Sequence, residues 1–252
     1  MDLIKLECVV GFRMEQRVLL DFICNLFFVI RTDVCIFLFL LDIVPWGKHT
    51  PVSWRFNFVA DVTPKTVSQA NFLAAVVVKD PYPWMESMCR HKYEANWRHF
   101  QGHCPNLVPI SAAEKNTLDG EESVEIRIRY RPTNVTHHES LAHLWNKWYQ
   151  DYVDADFPRL MIRFEDLLFH AEEVVTKVCN CGGGVMRDGG FKYIKKPAKA
   201  GPAHQGSSGL LKSLAKYGDA SNRLKSFTTP DLDFAKSVIN KDIMRLFKYA
   251  EP

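Results

Sequence analysis

Lys79 and Ser87 are spaced to hold an anion. Residues 73–78 form a continuous apolar run of strand length, closed by Lys79-Asp80-Pro81, and residues 83–97 read as a helix. A cation just before a strand-to-helix turn, with a hydroxyl eight positions later in the first turns of that helix, makes a phosphate clamp. The free backbone N–H groups and the dipole at the helix start add to it. Two other predicted strand ends carry polar groups: Lys48-His49, beyond the apolar run 34–41, and Arg163-Phe164-Glu165-Asp166, at the end of a strand over 159–164. Ligands of open α/β sheets bind beyond the carboxyl ends of the strands, so all three ends are candidate ligand contacts. Taken alone, Lys79-Asp80-Pro81 also reads as an ordinary turn with a solvated charge.

A second basic region lies at residues 182–209. Lys192, Lys195, Lys196 and Lys199 precede His204-Gln205-Gly206-Ser207-Ser208-Gly209. Lys196 offers a charge to a phosphate. His204 and Gly206 belong to a Gly/Ser loop whose backbone N–H groups suit an anion. The bland alternative is a flexible, solvated loop. Seven cysteines, an odd number, do not read as a disulfide scaffold; buried thiols are expected. Cys179-Asn180-Cys181 lacks the two-residue gap of a zinc pair, so no metal is expected.

The elements that must position these groups follow from periodicity. Residues 16–28 read as a buried helix, 34–41 and 73–78 as strands buried on both faces, and 123–130 as a half-buried strand. Residues 139–153 form an aromatic-rich helix, residue 165 opens a helix that runs to 178, and 210–217 and 230–247 are helical, with Thr228 or Thr229 as a cap. Strands alternating with helices predict a three-layer α/β domain around a central, mostly parallel sheet, spanning 1–252 as one unit. A net charge of +3 argues against a nucleic-acid partner and suits an anionic ligand in one cleft. The hydrophobic segment 1–45 is interrupted by Asp21, Arg31 and Asp33. A buried helix and strand is the expected reading; a membrane anchor is the alternative, so cytoplasmic and Golgi locations both stay open.

Four segments carry a resemblance to a known family. Residues 76–91, with Lys79-Asp80-Pro81 and Ser87, look like the 3′-phosphate segment of the sulfotransferases: a strand, then Arg-Asp-Pro, then Ser eight positions after the Arg. Lys79 stands in place of the arginine, keeping its charge without its bidentate fork. Residues 158–167 are similar to the family strand that ends in Tyr-Glu-Asp-Leu, with Phe164 at the adenine-facing aromatic position. Residues 231–249, ending Phe247-Lys248-Tyr249, resemble the final helix, which usually closes Phe-Gly-Tyr. Residues 139–149 are similar to a Trp-rich helix of sulfotransferase-like proteins of microalgae and other protists.

The resemblance implies a P-loop NTPase-like sulfotransferase fold. It also implies transfer of a sulfuryl group from PAPS (3′-phosphoadenosine 5′-phosphosulfate) to a hydroxyl or amine of a small molecule or glycan, with PAP as product and no metal. The donor would meet Lys79, Ser87, Phe164, Lys196, His204 and Gly206. Family members place Lys-x-His after the second strand. At the comparable place His49 is implied as general base and Lys48 as the charge beside the sulfuryl group. In one respect the chain departs from the family. The donor loop, roughly Pro-Lys-Ser-Gly-Thr-x-Trp, has no counterpart in residues 9–17, where Arg13 and Arg17 are the only cations. A fold relative that binds without catalysis, or a truncated gene product, is therefore the alternative. A P-loop kinase is disfavoured, since no Gly-x-x-x-x-Gly-Lys-[Ser/Thr] segment is present.

Overall fold

The computed structural model describes residues 27–31, 50–55, 72–90, 92, 95–98, 103–108, 124–181, 191 and 210–251. The chain divides into two compact units. One comprises Met1–Val78 with Asp156–Gly218, the other Lys79–Ala155 with Asp219–Pro252.

The first unit is built on a three-stranded sheet in the order β1 (Phe27–Arg31), β2 (Phe72–Val78), β6 (Arg159–Arg163). β2 runs parallel to β6, with Ala74 opposite Arg159 and Val78 opposite Arg163, and antiparallel to β1. As the central strand, β2 buries every residue from Ala74 to Val78, which is why its sequence is continuously apolar rather than alternating. Among the described residues the α/β class is realised as a small mixed sheet with one parallel pair. α3 (Phe164–Phe169) begins directly after β6, with Glu165 and Asp166 in its first turn, where the helix dipole favours acids. The helix expected to run from 165 to 178 breaks at His170, whose backbone leaves the helical region, and restarts as α4 (Ala171–Cys181). Val77, Phe164, Leu167, Leu168, Val175 and Cys179 form the core of this unit. α5 (Leu210–Gly218) packs Leu210, Leu214 and Tyr217 onto it at helical spacing.

The second unit joins α1 (Pro81–Arg90), the antiparallel strands β3 (Ala95–Asn96), β4 (Ile126–Arg131) and β5 (Asn134–His138), α2 (Leu141–Val153), α6 (Thr229–Val238) and α7 (Lys241–Leu246). Pro81 and Pro83 sit in the first turn of α1, where a missing N–H costs no hydrogen bond. α1 stops at Arg90, short of the expected 97, and residues 95–96 pair with β4 instead. In β4 the buried Ile126 and Ile128 alternate with the exposed Arg127 and Arg129, as their period-two pattern requires. Asn134-Val135-Thr136, readable as a glycosylation triplet, starts β5 of a hairpin. α2 is capped by Ser140 and buries Leu141, Leu144, Trp145, Trp148, Tyr149 and Tyr152 as one stripe. The expected helix over 230–247 is two: Ile239 adopts an extended backbone, and Asn240 caps α7 by accepting from Asp242 N and Ile243 N.

The cysteines correct one sequence expectation. Cys89 and Cys104 are a disulfide, not two thiols, with their Cα atoms 5.9 Å apart; Cys181 is also disulfide-bonded, and Cys179 is a buried core residue. A count of seven said nothing of which pairs the fold would bring within bonding reach. The expected N-terminal helix over 16–28 reaches into β1 at Phe27 and Phe28, which are strand. No helix among the described residues is long and apolar enough to cross a membrane.

Candidate functional site

The Lys79 ammonium donates to Ser87 Oγ at 2.8 Å. Both residues are buried, with Lys79 3% and Ser87 0% exposed. Ser87 lies two turns into α1, and its hydroxyl donates in turn to the Pro83 carbonyl at 2.8 Å, one turn back along the helix. Arg90, one further turn on, points its guanidinium at the same oxygen, Nη2 to Oγ 3.3 Å. Ser87 Oγ therefore accepts twice and donates once, the full capacity of a hydroxyl. Two cations thus converge on one hydroxyl, Lys79 from the helix entry and Arg90 from its last turn. Arg90 is the outward member, with a side chain 41% exposed, and it also pairs with Glu86 at 3.5 Å.

Lys79 is held there by its backbone. Trp145, fully buried on α2, donates its indole N–H to the Lys79 carbonyl at 3.0 Å, and its ring meets the edge of Tyr149. Asp80 fixes the start of α1: its carboxylate accepts from Tyr82 N at 3.0 Å, and its carbonyl accepts from Trp84 N at 3.0 Å. The other carboxylate oxygen accepts from Arg223 Nε at 2.7 Å. Burial pushes the Asp80 carboxyl above its usual value, and the charge and hydrogen bond of Arg223 oppose that rise. The Arg223 guanidinium also lies 4.7 Å from the Tyr82 ring centroid and donates to the Ala250 carbonyl. Burial pushes the Tyr82 hydroxyl up to about 12, so it is a neutral phenol in the physiological range. Glu86, on the same helix, accepts from Ser226 Oγ at 2.8 Å.

Phe164 has a different environment. Its ring is buried in the core of the first unit and meets the edge of Tyr217 with centroids 5.1 Å apart. Lys48, His49, Lys196, His204 and Gly206 lie outside the described residues. Among the described residues no group of three or more His, Cys, Asp or Glu side chains is arranged to hold a metal.

Sequence reasoning misses Arg90, Arg223 and Trp145. Arg90 has a signal, since residues three apart on a helix share a face and Ser87 is itself a candidate. Arg223 has none: 143 residues separate it from Asp80. The spacing of Trp145 reads correctly as core, but an indole inside a core seeks an acceptor, and only the fold decides which one.

A last cluster lies apart from the predicted site residues. The buried Asp231 carboxylate accepts from Leu107 N at 2.8 Å, from Thr228 N at 3.3 Å, from Thr228 Oγ1 at 2.6 Å, and pairs with the His103 ring. It is the third residue of a capping box on α6, and it pins the segment 103–108 to that helix. No protein-family model matches the chain, and neither does any curated protein or any solved structure.

Proposed function

We propose that the chain is a PAPS-dependent sulfotransferase and that Lys79, Ser87 and Arg90 hold the 3′-phosphate of the donor. The observation that carries this reading is the meeting of the Lys79 ammonium and the Ser87 hydroxyl at 2.8 Å across the start of α1. Two cations, with a hydroxyl that would turn its proton from the Pro83 carbonyl to the ligand, make a donor set suited to a phosphate dianion. Lys79 would exchange its bond to Ser87 for one to a phosphate oxygen, and Arg90 would close on the solvent side. Bound there, PAPS supplies an activated sulfuryl group for in-line transfer, a reaction in which positioning and charge stabilisation do most of the work. In this reading His49 takes the acceptor proton and Lys48 balances charge on the transferring group. Lys196, His204 and Gly206 add backbone and side-chain contacts to the donor.

The C-terminus of α7 supports the resemblance independently. Lys248 adopts a left-handed backbone, φ 52°, immediately beyond the helix. That conformation favours glycine, the residue at this place in the family's Phe-Gly-Tyr ending. A larger fold assignment, the full P-loop-like sulfotransferase architecture, belongs to this same proposal.

The test is calorimetric titration with PAP. Micromolar binding is expected, weakened about 10- to 100-fold by Lys79→Ala, the loss due to one charge-assisted hydrogen bond. Arg90→Ala, an exposed change that leaves the interior intact, should weaken binding less. His49→Ala should lower turnover far more than PAP affinity. No PAP binding to the folded chain would refute the reading. Binding without turnover on any acceptor would favour a non-catalytic relative, the outcome to which the unmatched residues 9–17 point.

A further inference from the structure

Cys89 lies between Ser87 and Arg90 in the last turn of α1, and its disulfide partner Cys104 begins a short segment with unusual attachments. His103 and Leu107, on either side of Cys104, both bind the buried Asp231 carboxylate that caps α6. Asn106 donates to the Arg98 carbonyl at 3.0 Å. The segment is thus fastened covalently to the end of α1 and by hydrogen bonds to the start of α6, all within one compact unit. Both bridged cysteines are half-buried rather than enclosed, so a small reductant reaches them.

We propose that the Cys89–Cys104 disulfide is a redox element that sets the grip of the Lys79–Ser87–Arg90 cluster on its anion. Helix C-termini fray unless something holds them. Here the bridge anchors the turn that carries Arg90, whose 3.3 Å contact is the longest of the three at Ser87 Oγ. A dithiol reductant attacks one sulfur of the bridge; the S–S bond breaks and a mixed disulfide forms. The second thiol then displaces the protein sulfur. Two electrons and two protons pass to Cys89 and Cys104, and the reductant leaves as its own disulfide. The released turn lets Arg90 swing to solvent, and Lys79 is left to hold the anion without it. This inference rests on the anion reading of the cluster.

PAP is titrated into the full chain, oxidised and after dithiothreitol, alongside Cys89→Ser/Cys104→Ser. Amide exchange at Leu107, which Asp231 protects, is followed in parallel. The expected result is PAP affinity about tenfold weaker on reduction, restored on reoxidation, with faster exchange at Leu107. The double variant should bind at the reduced level with and without reductant, although Cys181 also sits in a disulfide. Unchanged affinity on reduction, in a protein that binds PAP when oxidised, sinks the redox element and leaves the anion site standing. A redox response that survives in the double variant, or global unfolding on reduction by circular dichroism, sinks it too. If the oxidised protein binds no PAP, the anion site itself fails, and this proposal fails with it.

Discussion

Val78 and Arg163 are register partners, the last residues of two parallel neighbouring strands. The chain leaves these two strand ends in opposite ways. After β2 come Lys79 and Asp80, both buried and both satisfied by charge-assisted bonds, to Ser87 and to Arg223. After β6 comes Phe164, sunk in an apolar core, while Arg163 and Asp166 form a loose pair at 3.6 Å, partly in water. Two strand ends of one sheet therefore take their stability from different sources. The first relies on polar groups that must keep their partners. The second relies on a ring that must keep its volume. A buried ion is costly to leave alone, and an exposed pair contributes little.

Removing partners should separate the two junctions most sharply. Arg223→Met leaves the Asp80 carboxylate buried without its guanidinium and should cost about 3–5 kcal/mol of stability. Asp166→Ala at the other junction should cost under about 0.5 kcal/mol. Urea denaturation of both variants measures the contrast, and equal losses would break it. Phe164→Ala reverses the roles: the cavity it leaves should cost about 3 kcal/mol, at the junction whose charges are dispensable.

His138 sharpens the comparison by showing what a half-buried titratable group does without an Asp80-type partner. Burial, helped by Lys147, His137 and His143, pushes its imidazole down to about 4, with Asp151 opposing. The folded ring therefore binds fewer protons than the unfolded one between about pH 6.5 and 4. Stability present above that window is lost as pH falls through it. The loss should be about 1 kcal/mol after solvent screening of a half-buried ring. Denaturation midpoints at pH 7 and pH 4.5, compared with His138→Gln, test the sign; a flat profile would show that the folded ring takes up its proton as readily as the unfolded one. The smallest effect is expected at the end of α7, where Lys248→Gly should stabilise by about 0.5 kcal/mol, relief of the left-handed backbone less the entropy glycine brings.

The sequence is most legible where its pattern is local and periodic. The apolar run of β2, the alternation of β4, the aromatic stripe of α2 and the Thr228 cap all arise from spacing alone. Helix ends are less legible. The breaks at His170 and Ile239 carry no proline or glycine, and the cap residue Asn240 is the one local signal beside the second. Lys79 and Ser87 are readable because a strand, a turn and two helical turns fix where eight residues go. The disulfide, the Asp231 hub and the Arg223 pair are not, because each joins residues that only folding brings close.

By itself, then, the sequence determined which segments would be apolar enough to bury and which short-range pair could face one anion, since both depend on neighbours a few residues away. The tertiary structure alone decided which arginine neutralises Asp80, which indole holds the Lys79 carbonyl, and that Phe164 fills a core. Those choices are settled by burial, where a polar group must find a partner and an aromatic ring must fill space, whatever the distance along the chain.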